Sequence, residues 1–173
     1  MTKIYQILFD DKGVYGVAES TENSDLFILP NEGVIEDWEP LRLKITEGEF
    51  ADYLANDLGV RLCSENLKNL LQKHATHYDK IQWLPVEVEK DEEIRIYSIL
   101  HFPKSPDILN HNNSIYAGDF VVKPVFLKEA ISRNNVFSYL KAGNLKLFIS
   151  EPVKLAIEDE RCTGMEISRA PVK

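Results

Sequence analysis

Apolar and polar positions alternate along several short stretches of this chain, and in three places the apolar residues recur at helical spacing instead. The clearest case is Arg61 to Val88. Leu67, Leu70, Leu71 and His74 follow at i, i+3, i+4 and i+7, one face of an α-helix, while Glu65, Lys68, Asn69, Gln72 and Lys73 fall on the other. Ser64 stands just before them, where its hydroxyl can accept from a free backbone N–H of the first turn. A short strand around Leu62-Cys63 precedes the helix and a polar loop, Ala75 to Lys80, follows. Ile81 to Val88 reads as a second strand, with Pro85 arguing for an edge or a bulge because it cannot donate to a ladder.

The remaining pattern predicts strand far more often than helix. Residues 3–9 and 14–18 read as strands around the turn Asp10-Asp11-Lys12-Gly13, giving an N-terminal hairpin over 3–18. A polar loop over 19–25 and an apolar run over 26–29, stopped by Pro30, come next. Leu41, Leu43 and Ile45 alternate with Arg42 and Lys44 as a half-buried strand. Phe50, Tyr53, Leu54 and Leu58 suit one face of a short helix ended by Gly59. Strands 81–88 and 94–100 flank a charged turn and predict an antiparallel hairpin. Residues 103–113 read as loop, 114–122 as strand, 128–133 as a helical turn and Gly143-Asn144 as a turn. Residues 145–168 then repeat the theme of 61–88: strand Leu147-Phe148-Ile149, cap Ser150, Pro152 in the first helical turn, and strand Met165-Glu166-Ile167. At an offset of 86 residues, Ser64, Glu65 and Lys68 match Ser150, Glu151 and Lys154, and the apolar positions correspond. Capped amphipathic helices are common, so the match is compatible with a duplication without requiring one. The expected class is α+β: antiparallel sheets with a few short helices packed on them, in one domain spanning 1–173.

Composition is that of a globular chain, 44% hydrophobic and 28% charged. No apolar run approaches the roughly 20 residues of a membrane-spanning helix. The N-terminus lacks the apolar core and cleavage site of a secretory signal, and two cysteines, Cys63 and Cys162, imply no disulfide framework, so a cytoplasmic setting is expected. Net charge is -8, and its placement is more informative than its sum. Residues 1–60 hold 4 basic and 13 acidic side chains, whereas 61–173 hold 16 and 15. A nucleic-acid binder needs clustered cations, so none is expected here. An acidic third suits a basic protein partner, although acidic surfaces ordinarily serve solubility alone.

Candidate chemistry is sparse. No Gly-rich phosphate loop, H-E-x-x-H or Gly-x-Ser-x-Gly occurs, and no cofactor or catalytic set is legible. Cys63, His74 and His77 are the nearest approach to a metal site, but a closed zinc site needs about four ligands and no fourth is offered. As a thiol nucleophile Cys63 would need an electropositive, partly exposed setting, and its apolar strand argues otherwise. Glu36-Asp37 and Glu92-Glu93 read as solvated surface, and the sequon Asn112-Asn113-Ser114 as chance. Trp38, set among acids, could anchor an interface.

The order of several short motifs resembles immunity protein family eleven of bacterial polymorphic toxin systems, earlier a domain of unknown function. Leu62-Cys63-Ser64-Glu65-Asn66-Leu67-Lys68-Asn69-Leu70-Leu71 followed by Ile81-Gln82-Trp83-Leu84-Pro85-Val86 looks like that family's core pattern. Trp38-Glu39-Pro40-Leu41-Arg42-Leu43 and Ala51-Asp52-Tyr53-Leu54 match upstream. Tyr97-Ser98-Ile99-Leu100, Asp107-Ile108-Leu109, Phe148-Ile149-Ser150-Glu151 and Thr163-Gly164-Met165-Glu166-Ile167 match further along, so the resemblance covers about 38–169. Pro152 and Val153 depart from the basic and Leu residues usual after Ser-Glu, and Cys63 stands where an aliphatic is common. The resemblance implies a cytoplasmic protein that binds a cognate secreted toxin stoichiometrically and has no active site of its own. If that toxin is basic, as a nuclease is, the acidic third is the expected contact surface: Glu36, Asp37, Glu39, Glu47 and Glu49, with Trp38 as anchor. Two other readings remain open at this point, a small enzyme using Cys63 and an adaptor or chaperone without a toxin.

Overall fold

The computed structural model describes residues 2–21, 27–143 and 145–173. Met1, most of the loop expected over 19–25, the first residue of the run 26–29 and the second residue of the Gly143-Asn144 turn lie outside the described residues. The elements run β1 (Ile4–Phe9), β2 (Val17–Ser20), β3 (Leu41–Ile45), β4 (Tyr53–Asn56), β5 (Leu62–Ser64), α1 (Glu65–His74), β6 (Gln82–Lys90) and β7 (Glu93–His101). β8 (Ile115–Ala117), β9 (Phe120–Lys123), α2 (Lys128–Ile131), β10 (Val136–Phe137), β11 (Leu147–Ser150), α3 (Glu151–Asp159) and β12 (Met165–Ala170) follow. Six strands close into a barrel, β2-β3-β6-β7-β5-β4, and four form an open sheet, β10-β11-β1-β12. β8 and β9 make a separate hairpin. Short helices beside these sheets make the fold α+β. Pairing is mainly antiparallel, with β2–β4 and β3–β6 parallel.

Alternation along the strands divides the apolar residues between two cores. Ala18, Leu43, Leu54, Leu62, Val86 and Ile99, one from each barrel strand, belong to the cluster inside the barrel. Residues of the opposite parity, Tyr53, Cys63 and Leu100, face outward into a second cluster. There they meet Leu67, Leu70 and Leu71 of α1, Val153 and Ile157 of α3, and Ile7, Leu147 and Ile149 of the open sheet. The two helices therefore pack face to face between barrel and sheet. A third cluster behind the open sheet gathers Phe126, Phe137, Tyr139 and Phe148, edge to face or stacked.

The two strand–helix–strand units share one topology. β5 and β6 both pair antiparallel with β7, which lies between them; β11 and β12 both pair antiparallel with β1, which lies between them. Leu67 and Leu71 correspond to Val153 and Ile157, and all four are buried. The caps differ. The Ser64 hydroxyl accepts from the Leu67 N–H at 3.2 Å, whereas the Ser150 hydroxyl is buried without a partner.

One carboxylate ties the units together. Asp52 accepts from the Ser64 hydroxyl at 2.6 Å, at the start of α1, and from the Thr163 backbone N–H at 2.8 Å, just before β12. The adjoining backbone adds Ser64 N–H to Asp52 O and Tyr53 N–H to Thr163 O. Gly164 is required here: its φ is +81°, and a Cβ would lie 2.4 Å from the Tyr53 carbonyl. A second tie is the buried Arg61. Among the described residues it has no carboxylate partner, and it donates instead to the carbonyls of Lys146 and Gly143 at 2.7 Å each and lies over Phe102. Burial lowers its pKa to about 10, so it stays charged at neutral pH.

Several expected elements take another form. Residues 4–9 and 17–20 are strands, but β1 pairs with β11 and β12 while β2 pairs with β3 and β4, so there is no hairpin over 3–18. The helix expected over 50–58 is strand β4; Tyr53 and Leu54 are both buried, on opposite faces of the barrel wall, and a strand buried on both sides shows no alternation. The strand expected over 114–122 is two, β8 and β9, joined at Gly118 with φ +60°. The hairpin of β6 and β7 is present, from Gln82↔His101 to Lys90↔Glu93. Pro85 lies in the half of β6 that β3 does not reach, as its missing N–H requires. Among the described residues no helix is long and apolar enough to cross a membrane.

Replacing Asp52 with Ala removes the acceptor shared by Ser64 and Thr163. Urea unfolding should show a loss of about 3 kcal/mol, the usual scale for stranding charge-accepting donors. Asp52→Asn should retain part of that stability.

Candidate protein-interaction site

The expected contact residues fall on two sides of β3. Glu36, Asp37, Trp38 and Glu39 precede Leu41, and Glu47 and Glu49 follow Ile45. At about 3.3 Å per residue the strand alone holds the two groups roughly 13 Å apart. The second group is stitched to another loop: Gly16 N–H donates to Glu49 O and Glu49 N–H to Val14 O. Glu49 also lies 3.9 Å from Lys90. The structure therefore brings together the first group and leaves Glu47 and Glu49 apart from it.

The first group belongs to the segment between Pro30 and Pro40, and this segment is fixed by contacts far along the chain. Gly33 takes φ +89° and Asp37 φ +53°, conformations that Gly and Asp tolerate. Gly33 N–H donates to Pro103 O at 2.7 Å. The Gln82 side chain on β6 acts as a two-sided clamp, accepting from Ile35 N–H at 2.9 Å and donating to Ile35 O at 2.8 Å. Trp38 Nε1–H donates to Pro85 O at 2.9 Å and its ring meets Phe27 edge to face. Trp38 is half-buried against the barrel core, so it pins the loop down. It is a support for the surface more than an exposed anchor on it.

What the loop presents to solvent is mixed acid and hydrocarbon. Glu32, Glu36, Asp37 and Glu39 are exposed, and no Lys or Arg of the described residues pairs with any of them. Val34, 68% exposed, lies in the same segment, and Ile28, 84% exposed, stands just before it. Apolar anchors with charged surroundings are the usual anatomy of a protein interface. Neither Val34 nor Glu32 was marked by composition; the Gly33 turn that displays them was the only local signal.

The loop also rests on a buried histidine. His101 Nε2 lies 2.7 Å from the Gly33 carbonyl, which can only accept, so Nε2 carries the proton. Nδ1 is buried without a partner and therefore suits the neutral ring. Burial pushes the His101 pKa below the ordinary 6.5, partly opposed by the Gly33 carbonyl.

The other chemical candidates are not gathered. Cys63 is fully buried, and burial drives its thiol pKa well above the ordinary value, the reverse of what a thiolate nucleophile or ligand needs. His74 is half-buried and His77 is exposed, with its ring 3.9 Å from that of Tyr78. Among the described residues the one trio of donors close enough to share an ion is Asp10, Asp11 and Glu166, an exposed cluster that Lys12 already approaches at 3.6 Å. One polar relay escaped sequence reasoning. Asp107 accepts from His111 Nε2–H at 3.0 Å, and His111 Nδ1 lies 2.6 Å from the Tyr116 hydroxyl. The i, i+4 spacing of Asp107 and His111 was its only sequence signal. All three side chains are exposed, and they fasten the loop before β8 to the β8–β9 hairpin.

The protonation of His101 gives a pH signature. Its folded-state pKa is depressed, so the unfolded chain binds the extra proton first and stability rises with pH. The loss on acidification begins near 6.5 and is complete below the folded value. Melting temperatures taken from about pH 7.5 to about pH 5 should fall more steeply for the parent than for His101→Gln, which keeps an N–H donor and does not titrate.

No protein-family model and no curated protein matches the chain, so the reading of this surface rests on its own geometry and charge.

Proposed function

We propose that the chain is a binding protein that neutralises a basic protein partner by covering it, and that the partner is the toxin domain expected from the resemblance to bacterial immunity proteins. The supporting observation is the clamped loop: four unpaired carboxylates and exposed Val34 on a backbone held by Gln82, His101 and Trp38. A fixed loop has little conformational entropy left to lose on binding. Its charges speed encounter with a positive surface, and Val34 and Ile28 supply area that water leaves. For a nuclease toxin, the carboxylates would occupy the positive groove that receives phosphate. Such a protein acts in the cytoplasm of the producing cell, before the toxin is exported or after it re-enters. The contact group narrows from six residues to Glu36, Asp37 and Glu39, joined by Glu32 and Val34, with Trp38 behind them. Glu47 and Glu49 become a control site. The Cys63 enzyme has no such support, because that thiol is sealed from any substrate.

The test uses the toxin domain encoded by the neighbouring gene. Glu36→Lys with Glu39→Lys should slow association by about tenfold to a hundredfold at low salt and abolish most of the salt dependence. Asp37 is better changed to Asn, which tolerates its positive φ. Val34→Ser should chiefly speed dissociation, and cells carrying these variants should lose protection. Equal weakening by Glu47→Lys with Glu49→Lys would refute the placement. A neighbour that is no secreted toxin, or one that the parent protein fails to bind, would refute the toxin reading.

A further inference from the structure

A chain with net charge -8 nevertheless surrounds one hollow with cations. The hollow has a volume of about 580 Å3 and lies where β12 runs out into the C-terminal residues. Lys123, Lys128, Arg169 and Lys173 line it, and none of its described lining residues is acidic. These four come from β9, α2, β12 and the segment after it, so sequence proximity does not explain their meeting. Lys173 Nζ donates to Asn113 Oδ1 at 3.1 Å, while among the described residues Lys123, Lys128 and Arg169 have no carboxylate within ion-pair distance. The floor is Ala170, Pro171 and Val172.

The frame that holds these cations is rigid at the backbone. Phe126 N–H donates to Pro171 O at 3.0 Å, Lys173 N–H to Phe126 O at 2.9 Å, and Lys128 N–H to Lys173 O at 3.0 Å. Phe126 beneath is fully buried among Phe137, Tyr139 and Phe148. The positive side chains are thus set round a concave apolar floor by a ladder that does not depend on them. Like charges that share a hollow with no acidic side chain in its described lining repel, and a bound anion relieves that repulsion. The hollow's size lies within the range of small-molecule sites, about 300–1,000 Å3.

We propose that this hollow binds a small phosphate-bearing anion with an apolar or aromatic body, of the size of a nucleoside diphosphate. The phosphates sit among Lys123, Lys128, Arg169 and Lys173, with Arg169 able to grip two oxygens at once. The body lies on Pro171 and Val172. This site is on a different sheet from the acidic loop and stands or falls independently of any toxin.

Calorimetry on the full chain at low ionic strength tests it with inorganic pyrophosphate and with a nucleoside diphosphate. The parent should bind both saturably with one site, and the nucleotide more tightly because of the floor. Lys128→Gln with Arg169→Gln should weaken both by about tenfold or more, the scale of losing one or two charge-assisted contacts. Lys73→Gln with Lys104→Gln, exposed cations elsewhere, should leave affinity within about twofold of the parent and serves as the non-specific control. A melting-temperature rise with pyrophosphate, lost only in the first variant, is the second readout and also reports that each variant is folded. No saturable binding by the parent, or equal loss in both variants, overturns the site. Tight pyrophosphate binding with no gain from the nucleotide overturns the role of the floor.

Discussion

Asp52 accepts hydrogen bonds from two places that the chain reaches about a hundred residues apart, the start of α1 at Ser64 and the start of β12 at Thr163. Its position follows from β4, whose Tyr53 projects outward from the barrel and stacks on Phe9 at 4.5 Å. Gly164 must lack a side chain for Thr163 to come so close, because Ala51 and Tyr53 already fill that space. The apolar side chains of α1 and α3 fix area better than they fix direction, so polar joints such as this one, and Asp79 accepting from the Asn135 and Val136 N–H groups of the open sheet at 3.1 and 3.2 Å, set how barrel and sheet meet. The Arg61 fork makes the second fixed-direction contact between the barrel and the segment leading to β11. A buried guanidinium satisfied by carbonyls is costly to strand, so it holds both partners in place.

Local signals along the chain were a good guide to elements and a poor guide to their partners. α1 was legible because its cap and its apolar spacing are both contained within eleven residues, Ser64 to His74. The β6–β7 hairpin was legible for the same reason, with its turn at Asp91-Glu92. β1 and β2 looked like a hairpin because Asp10 to Gly13 is sound turn chemistry. Yet β1 finds its partners at 147–150 and 165–170, and nothing in residues 3–18 encodes that choice. β4 was misread because a strand buried on both faces presents Tyr53 and Leu54 side by side, and with Leu58 they mimic a helical face.

The candidate site was legible in charge and illegible in geometry. Counting acids marked out the first third of the chain, but it could not separate Glu36 from Glu47, which β3 holds apart. Nor could it show that Gln82, His101 and Pro103, all beyond residue 80, would clamp the loop that carries Glu36. Trp38 was expected as an interface anchor, and its indole N–H is taken up by Pro85 O. The basic hollow had no sequence signature at all, since residues 61–173, which supply its cations, are nearly neutral in sum.

The two charged features constrain each other. The acidic loop is fastened to β6 and β7, and the basic hollow sits at the end of β12, on the other sheet. No described ion pair joins them, so their opposite charges stay unneutralised at separate places on a frame that Asp52 and Arg61 hold together. A molecule with that arrangement carries a dipole as well as a net charge. The basic partner proposed above would be attracted by the loop and turned away by the hollow before contact is made. Such orientation would raise the fraction of encounters that begin with Val34 and Glu36 facing it. Filling the hollow with an anion would weaken the repulsive pole and leave the loop unchanged. Occupancy of one site would then alter how fast a partner finds the other without any change of shape.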